Sequence, residues 1–118
     1  MSGDTRQWGL FRAELDPVQG SEQAGVRPVL VVSREVVNRT LPILAVVPLT
    51  RRRPGRRVYP TEVLLPEGVA GQTHESLALA HQLRTISSHR LGVAYGHLDD
   101  PDLRSAVRDA LRLFLDLE

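Results

Sequence analysis

The sequence predicts a small, partly open β-barrel closed by one C-terminal amphipathic helix, an α+β fold in which strands dominate. Three observations carry that reading. Short apolar or alternating runs bounded by Pro, Gly and Ser recur from Leu10 to Tyr95, as short strands do. One stretch, Asp100 to Leu115, repeats its apolar residues at helical spacing. The length, 118 residues, suits a single domain over 1–118 with a core of its own. Roughly six strands and one helix bury their apolar faces only if the sheet curls on itself and the helix covers one side.

Taken in order, Leu10 to Leu15 alternates and is closed by Asp16-Pro17, which predicts a first strand. Val29 to Ser33 is a continuous apolar run, expected in the middle of the sheet, and Ser33 is placed to cap a helical turn over 34–38. Ile43 to Leu49 and Val58 to Leu65 are two further strands, with Pro60 pointing to an edge or a bulge in the second. From Ser76 to Thr85, Leu77, Leu79, His81 and Leu83 alternate with Ala78, Ala80, Gln82 and Arg84, the pattern of one half-buried strand. Ser87 or Ser88 opens a short turn before a last strand over 92–95. The helix is the clearest element: Asp100 suits the N-cap and Pro101 the first helical position. Leu103, Val107, Ala110, Leu111, Phe114 and Leu115 then form a stripe expected to cover the barrel, with Arg104, Arg108 and Arg112 opposite.

The composition, 42% hydrophobic and 25% charged, is that of an ordinary globular chain, and no apolar run approaches the roughly 18 residues of a membrane span. With no cysteine there is neither a disulfide nor a thiolate metal site, and no signal-like apolar segment opens the chain, so the expected location is the cytoplasm. His74, His81, His89 and His97 lack a compact ligand spacing, so neither a metal nor another cofactor is expected.

All 15 basic residues are arginine, and five of them, Arg51, Arg52, Arg53, Arg56 and Arg57, crowd one short segment of a chain whose net charge is only +1. Pro54-Gly55 is turn chemistry that would present arginines from both arms of a loop. The segment reads either as a solvated loop or as a patch that tracks phosphates. A second loop, 20–25, has glycine at both ends and feeds straight into the Val29 strand, with Arg27 held extended by Pro28.

The order Leu15-Asp16-Pro17, Gly20-Ser21-Glu22-Gln23, Gly25, Arg27-Pro28-Val29-Leu30-Val31-Val32-Ser33, Val46-Val47-Pro48-Leu49-Thr50, Pro60-Thr61-Glu62-Val63, Gln82-Leu83-Arg84-Thr85-Ile86 and Arg90-Leu91-Gly92 resembles the MazF/PemK family of toxin endoribonucleases. The resemblance runs from about Leu10 to the end of the chain. It implies an SH3-like barrel, a homodimer, metal-independent cleavage of single-stranded RNA at a short sequence, and neutralisation by a MazE-like antitoxin. It also implies a catalytic pair, Arg27 and Thr50. Where members of the family often carry an acid before the Gln-Leu-Arg-Thr motif, this chain has His81.

The residues themselves suit that chemistry. Cutting RNA without a metal uses the substrate's own 2′-hydroxyl, so the protein must stabilise a phosphorane and move two protons. Arg27 offers a planar, permanently charged fork for the phosphate, and Thr50 a donor for a non-bridging oxygen. Glu22 and His81 are the titratable candidates for proton transfer. Ser21, Gln23, Gln82 and Arg84, with the five loop arginines, are the candidates for holding RNA. Plainer readings exist for each: an ion pair of Arg27 with Glu22, a strand-end hydroxyl for Thr50, turn formation for Ser21 and Gln23, and a hydrogen-bonded histidine at the rim of an apolar face. The competing function is a non-catalytic module that holds RNA without cutting it, or a toxin like CcdB, which shares this fold and acts on DNA gyrase.

Overall fold

The computed structural model describes residues 5–16, 19–23 and 25–118. Its strands are β1 (Gly9–Glu14), β2 (Val26–Val31), β3 (Ile43–Arg51), β4 (Glu62–Leu65), β5 (Ser76–Leu79), β6 (Arg84–Ser87) and β7 (Leu91–His97). Two helices, α1 (Glu35–Thr40) and α2 (Pro101–Leu115), complete the elements used below. The seven strands form one antiparallel sheet in the order β4-β5-β3-β2-β1-β7, with β6 also paired to β3, and the two ends of that order do not pair with each other. The barrel is therefore open, as the sequence led us to expect.

The core lies on both faces of the sheet because strand residues alternate between them. On one face Leu10, Leu30, Val47 and Leu49 join Val63, Leu65 and Leu98 beneath Val107 and Ala110 of α2. On the other, Ala13, Val29, Val31, Leu44, Val46 and Ile86 make a smaller cluster. The expected central strand is central: Val29, Leu30 and Val31 are fully buried between β1 and β3. It begins earlier than its apolar run, at Val26, so that Arg27 pairs with Ala13 inside the ladder rather than standing in the loop.

Several elements depart from the sequence reading. Ser33 does not cap α1: its hydroxyl donates to the Asn38 side chain and accepts from the Ala45 N–H at 3.0 Å, and α1 starts one residue after Arg34, which makes no side-chain cap. The strand expected from Val58 is only Glu62–Leu65, at the sheet edge, because a turn closed by the Glu62 N–H to the Tyr59 carbonyl (2.9 Å) folds the residues ahead of it. Asp100 caps α2 as expected, its Oδ1 accepting from the Asp102 and Leu103 N–H groups at 2.8 and 3.3 Å. Arg104 and Arg108 do not simply face water, however. Their guanidinium groups lie 5.4 and 5.0 Å from the ring of buried Trp8, and Arg104 Nε donates to the Leu98 carbonyl at 2.6 Å. Two close approaches need glycine: a Cβ on Gly71 (φ +77°) would lie 2.1 Å from the Tyr95 carbonyl oxygen, and one on Gly96 would lie 2.5 Å from Ala70.

The apolar stripe of α2 does not cover the sheet along its whole length. Val107 and Ala110 are buried, but Phe114 is 45% exposed, because the helix runs on past β4 and the 80–82 turn, which support it. Phe114→Ala should therefore cost less than about 1 kcal/mol in urea denaturation at low protein concentration, as surface changes do. Leu98→Ala, at a fully buried position, should cost about 2–5 kcal/mol.

Candidate functional site

The β2–β3 register brings the first two candidates together. Its last bonded rung is Val29 opposite Pro48, and the same register continued by two residues sets Arg27 opposite Thr50. Residues two apart share a face, so both lie on the face of Val29 and Pro48. Both are half-buried. Arg84, paired with Val46, faces the same way, and its Nη1 donates to the Leu15 carbonyl at 3.0 Å.

The opposite edge of β3 shapes the cleft. Followed from Val46, the β3–β6 register would put Gln82 beside Pro48; followed back from Leu49, the β3–β5 register puts Leu79 there. Ala80, His81 and Gln82 are thus three extra residues, folded as a 3₁₀ turn that leaves the ladder. Pro48 brings no N–H, so the break strands no donor on that residue. The sequence reading of one strand over 76–85 is corrected here: His81 sits on this turn, not on a strand face with Leu77 and Leu79.

The turn and the 20–25 loop enclose a cleft of about 360 Å³. Ser21, Glu22 and Gln23 line it from the loop, and Pro48, His81, Gln82, Leu83 and Arg84 from the sheet. Glu22 is exposed, and its carboxylate accepts from the Gln19 N–H at 3.3 Å. Gln82 reaches across to the loop: its Oε1 accepts from the Gln23 N–H at 2.7 Å and its Nε2 donates to the Ser21 carbonyl at 3.1 Å. The Gln23 Oε1 is buried with no hydrogen-bond partner among the described residues. His81 Nδ1 lies 3.0 Å from the Thr61 hydroxyl, which can donate to it or accept from it according to the tautomer. The sequence reading did not single out Thr61, although it quoted the Pro60-Thr61-Glu62-Val63 run. Arg27 and Thr50 do not line the cleft; Thr50 is two residues along β3 from Pro48, and Arg27 two residues along β2 from its partner Val29.

The arginine loop divides into two groups. Arg56 holds Glu62 through two bonds of 2.8 and 2.9 Å, and Arg52 holds Glu75 at 3.0 Å while its Nε donates to the Arg56 carbonyl at 3.1 Å. Arg52 and Arg56 are thus tied within and beside the loop, while Arg51, Arg53 and Arg57 are exposed, with Arg57 over the Tyr59 ring at 5.2 Å. Arg56 first, and the Tyr59 N–H after it, hold the buried Glu62 carboxyl below its usual range against the opposing effect of burial. A lowered carboxyl gives stability that is complete above the ordinary value of 4.5 and is lost as the pH falls through the folded-state value. Thermal melts should thus show the midpoint falling as the buffer is taken from pH 5 to pH 3, and Glu62→Gln should flatten that fall.

No set of three or more His, Cys, Asp or Glu among the described residues could hold a metal ion. No helix among them is long and apolar enough to cross a membrane.

Fold and cleft together define a small open-sheet α+β protein with a cleft beside Pro48 and with an arginine and a hydroxyl two residues past the last rung of its β2–β3 ladder. Comparison with known proteins takes this one step further. Residues 6–115 match the family described as PemK-like, MazF-like toxin of type II toxin-antitoxin system, and the chain belongs to that family. It is 38% identical over 108 residues to the endoribonuclease EndoA of Bacillus subtilis, covering 92% of this chain and 91% of that protein. Among solved structures it resembles the Mycobacterium tuberculosis toxin MazF-mt6, with a TM-score of 0.76, 29% identity and coverage of 93% and 98% of the two chains. It also resembles a MazE-MazF crystal structure from Deinococcus radiodurans, with a TM-score of 0.72, 27% identity and coverage of 95% and 96%. A gyrase-directed, non-catalytic toxin is not favoured by these relatives.

Proposed function

We propose that this chain, a MazF-like toxin endoribonuclease, cuts single-stranded RNA at a short sequence in the cytoplasm, as a homodimer, with its own side chains and the substrate's 2′-hydroxyl. What supports the reading is the β2–β3 register, which, continued two residues past its last rung at Val29 and Pro48, sets Arg27 and Thr50 at one level near the cleft that Pro48 lines.

In the proposed reaction the 2′-oxygen attacks the adjacent phosphorus, its proton passes to a side-chain base, and the bond to the 5′-oxygen breaks as that oxygen takes a proton. The products are a 2′,3′-cyclic phosphate and a 5′-hydroxyl. Arg27 pairs with the phosphorane oxygens as charge builds on them, and Thr50 donates to one of them. His81 and Glu22 face the same cleft from the turn and the loop and are the acid-base candidates. The Thr61 hydroxyl supports a base role for His81 in the tautomer whose Nδ1–H donates to it, which leaves the Nε2 lone pair for the substrate.

Arg51, Arg53 and Arg57 would follow the strand on either side. Because single-strand binding loses log affinity with log salt at a slope of about −0.7 per phosphate contact, Arg53→Ala with Arg57→Ala should flatten the slope by roughly 1.4. Filter binding of an oligoribonucleotide between 50 and 300 mM salt reads this. Neutralisation by a MazE-like antitoxin, whose acidic segment would meet the same arginines, follows from the MazE-MazF likeness.

The experiment for the function itself is incubation of the purified protein with a long single-stranded RNA and with DNA of the same sequence. Cuts recurring at one short sequence, in RNA alone, support the reading. No cutting, or cutting of DNA, would contradict it.

A further inference from the structure

Gln82 has both ends of its carboxamide bonded to the loop that faces it across the cleft. We infer that Gln82 is a latch, a positioning residue whose carboxamide holds residues 21–23 over the cleft so that Glu22 stands across from His81; the inference rests on the nuclease reading for its effect on rate. The geometry is reciprocal. Gln82 accepts from the Gln23 N–H at 2.7 Å and donates to the Ser21 carbonyl at 3.1 Å, bracketing Glu22 on both sides.

Among the described residues, no other side chain from outside the loop bonds Ser21, Glu22 or Gln23. Among the described residues, Glu22 is also tied to Gln19, and Gly25 at the base of the loop to Asp16 and Leu15. Gly20 (φ +59°) and Gly25 (φ +74°), both in the left-handed region that favours glycine, flank the latched segment. Gln82, by contrast, is fixed: the three-residue excursion that carries it is pinned at both sides by the β5 and β6 ladders on β3. The loop that bears Glu22 is thereby tied to the turn that bears His81.

Only a group that accepts and donates in one plane can do this. A carboxylate accepts from Gln23 but has nothing to give the Ser21 carbonyl, whereas a protonated carboxyl has the shape and polarity of the carboxamide. Gln82→Glu should therefore unlatch the loop at neutral pH and relatch it as the carboxyl protonates, while Gln82→Ala stays open throughout.

The test has two arms. In the RNA-free protein, amide exchange by NMR, expressed as protection factors to remove the intrinsic pH dependence, should show Gln23 protected in wild type. Protection should fall at least tenfold in Gln82→Ala, with Leu30 and Val47 unchanged, and return in Gln82→Glu between pH 6 and pH 4. In the second arm, kcat on a single-stranded RNA should fall about 10- to 100-fold in Gln82→Ala with KM within about threefold. Unchanged protection at Gln23 in Gln82→Ala overturns the latch whatever the RNA result. Lost protection with unchanged kcat overturns its positioning role. If wild type does not cut RNA, the nuclease reading falls, and the exchange arm still decides the latch.

Discussion

Arg27→Ala should lose about 10²- to 10³-fold in the rate of RNA cleavage, the usual result of removing one preorganised donor from a developing oxyanion. Its circular dichroism spectrum should stay native, because Arg27 is half-buried near the start of β2 and outside both apolar clusters. Arg27→Lys should recover little, since a point charge cannot reproduce the bidentate fork. Single-turnover cleavage at saturating RNA separates chemistry from binding. A wild-type rate in Arg27→Ala would remove Arg27 from the phosphate.

His81→Ala should lose about 10²- to 10⁴-fold, the common share of a positioned acid or base. An imidazole ordinarily titrates about two units above a carboxylate, so His81→Glu should keep activity and carry the acid limb of the rate profile to lower pH. The profiles of the three proteins from pH 4.5 to 8.5 give the answer. If His81→Ala keeps both the limb and the plateau, proton transfer passes to Glu22, and His81 is left as the partner of Thr61.

What could be read from the chain was local. The buried run at Val29, the capped start of α2 and the turn at Pro54-Gly55 each follow from residues next to one another, and each stands in the structure. The bulge at Ala80 to Gln82 was hidden because alternation continues through it: a period-two pattern records which face a residue takes on an unbroken strand, and only the partner strand β3 shows where the pairing stops. Phe114 misled for a similar reason. Helical periodicity marks an apolar stripe but carries no measure of how far the sheet beneath it extends.

In the candidate site, the family resemblance singled out Arg27 and Thr50, while their common level depends on a strand register that no spacing along the chain encodes. The arginine loop was legible as charge alone. That Arg56 belongs to Glu62 and Arg52 to Glu75 depends on contacts across a loop and between strands, where there is no periodicity to betray them.

The central claim is that the substrate's 2′-hydroxyl is the nucleophile and that Arg27 and Thr50 act on the phosphate beside it. The most direct measurement compares, in EDTA, an oligoribonucleotide carrying the cut site with the same strand bearing a single 2′-deoxynucleotide on the 5′ side of the cut. The account predicts cleavage of the first to a 5′-hydroxyl fragment and none of the second at that position. Cleavage of the deoxy strand there, or 5′-phosphate ends on either, would contradict it and point instead to an activated water as nucleophile.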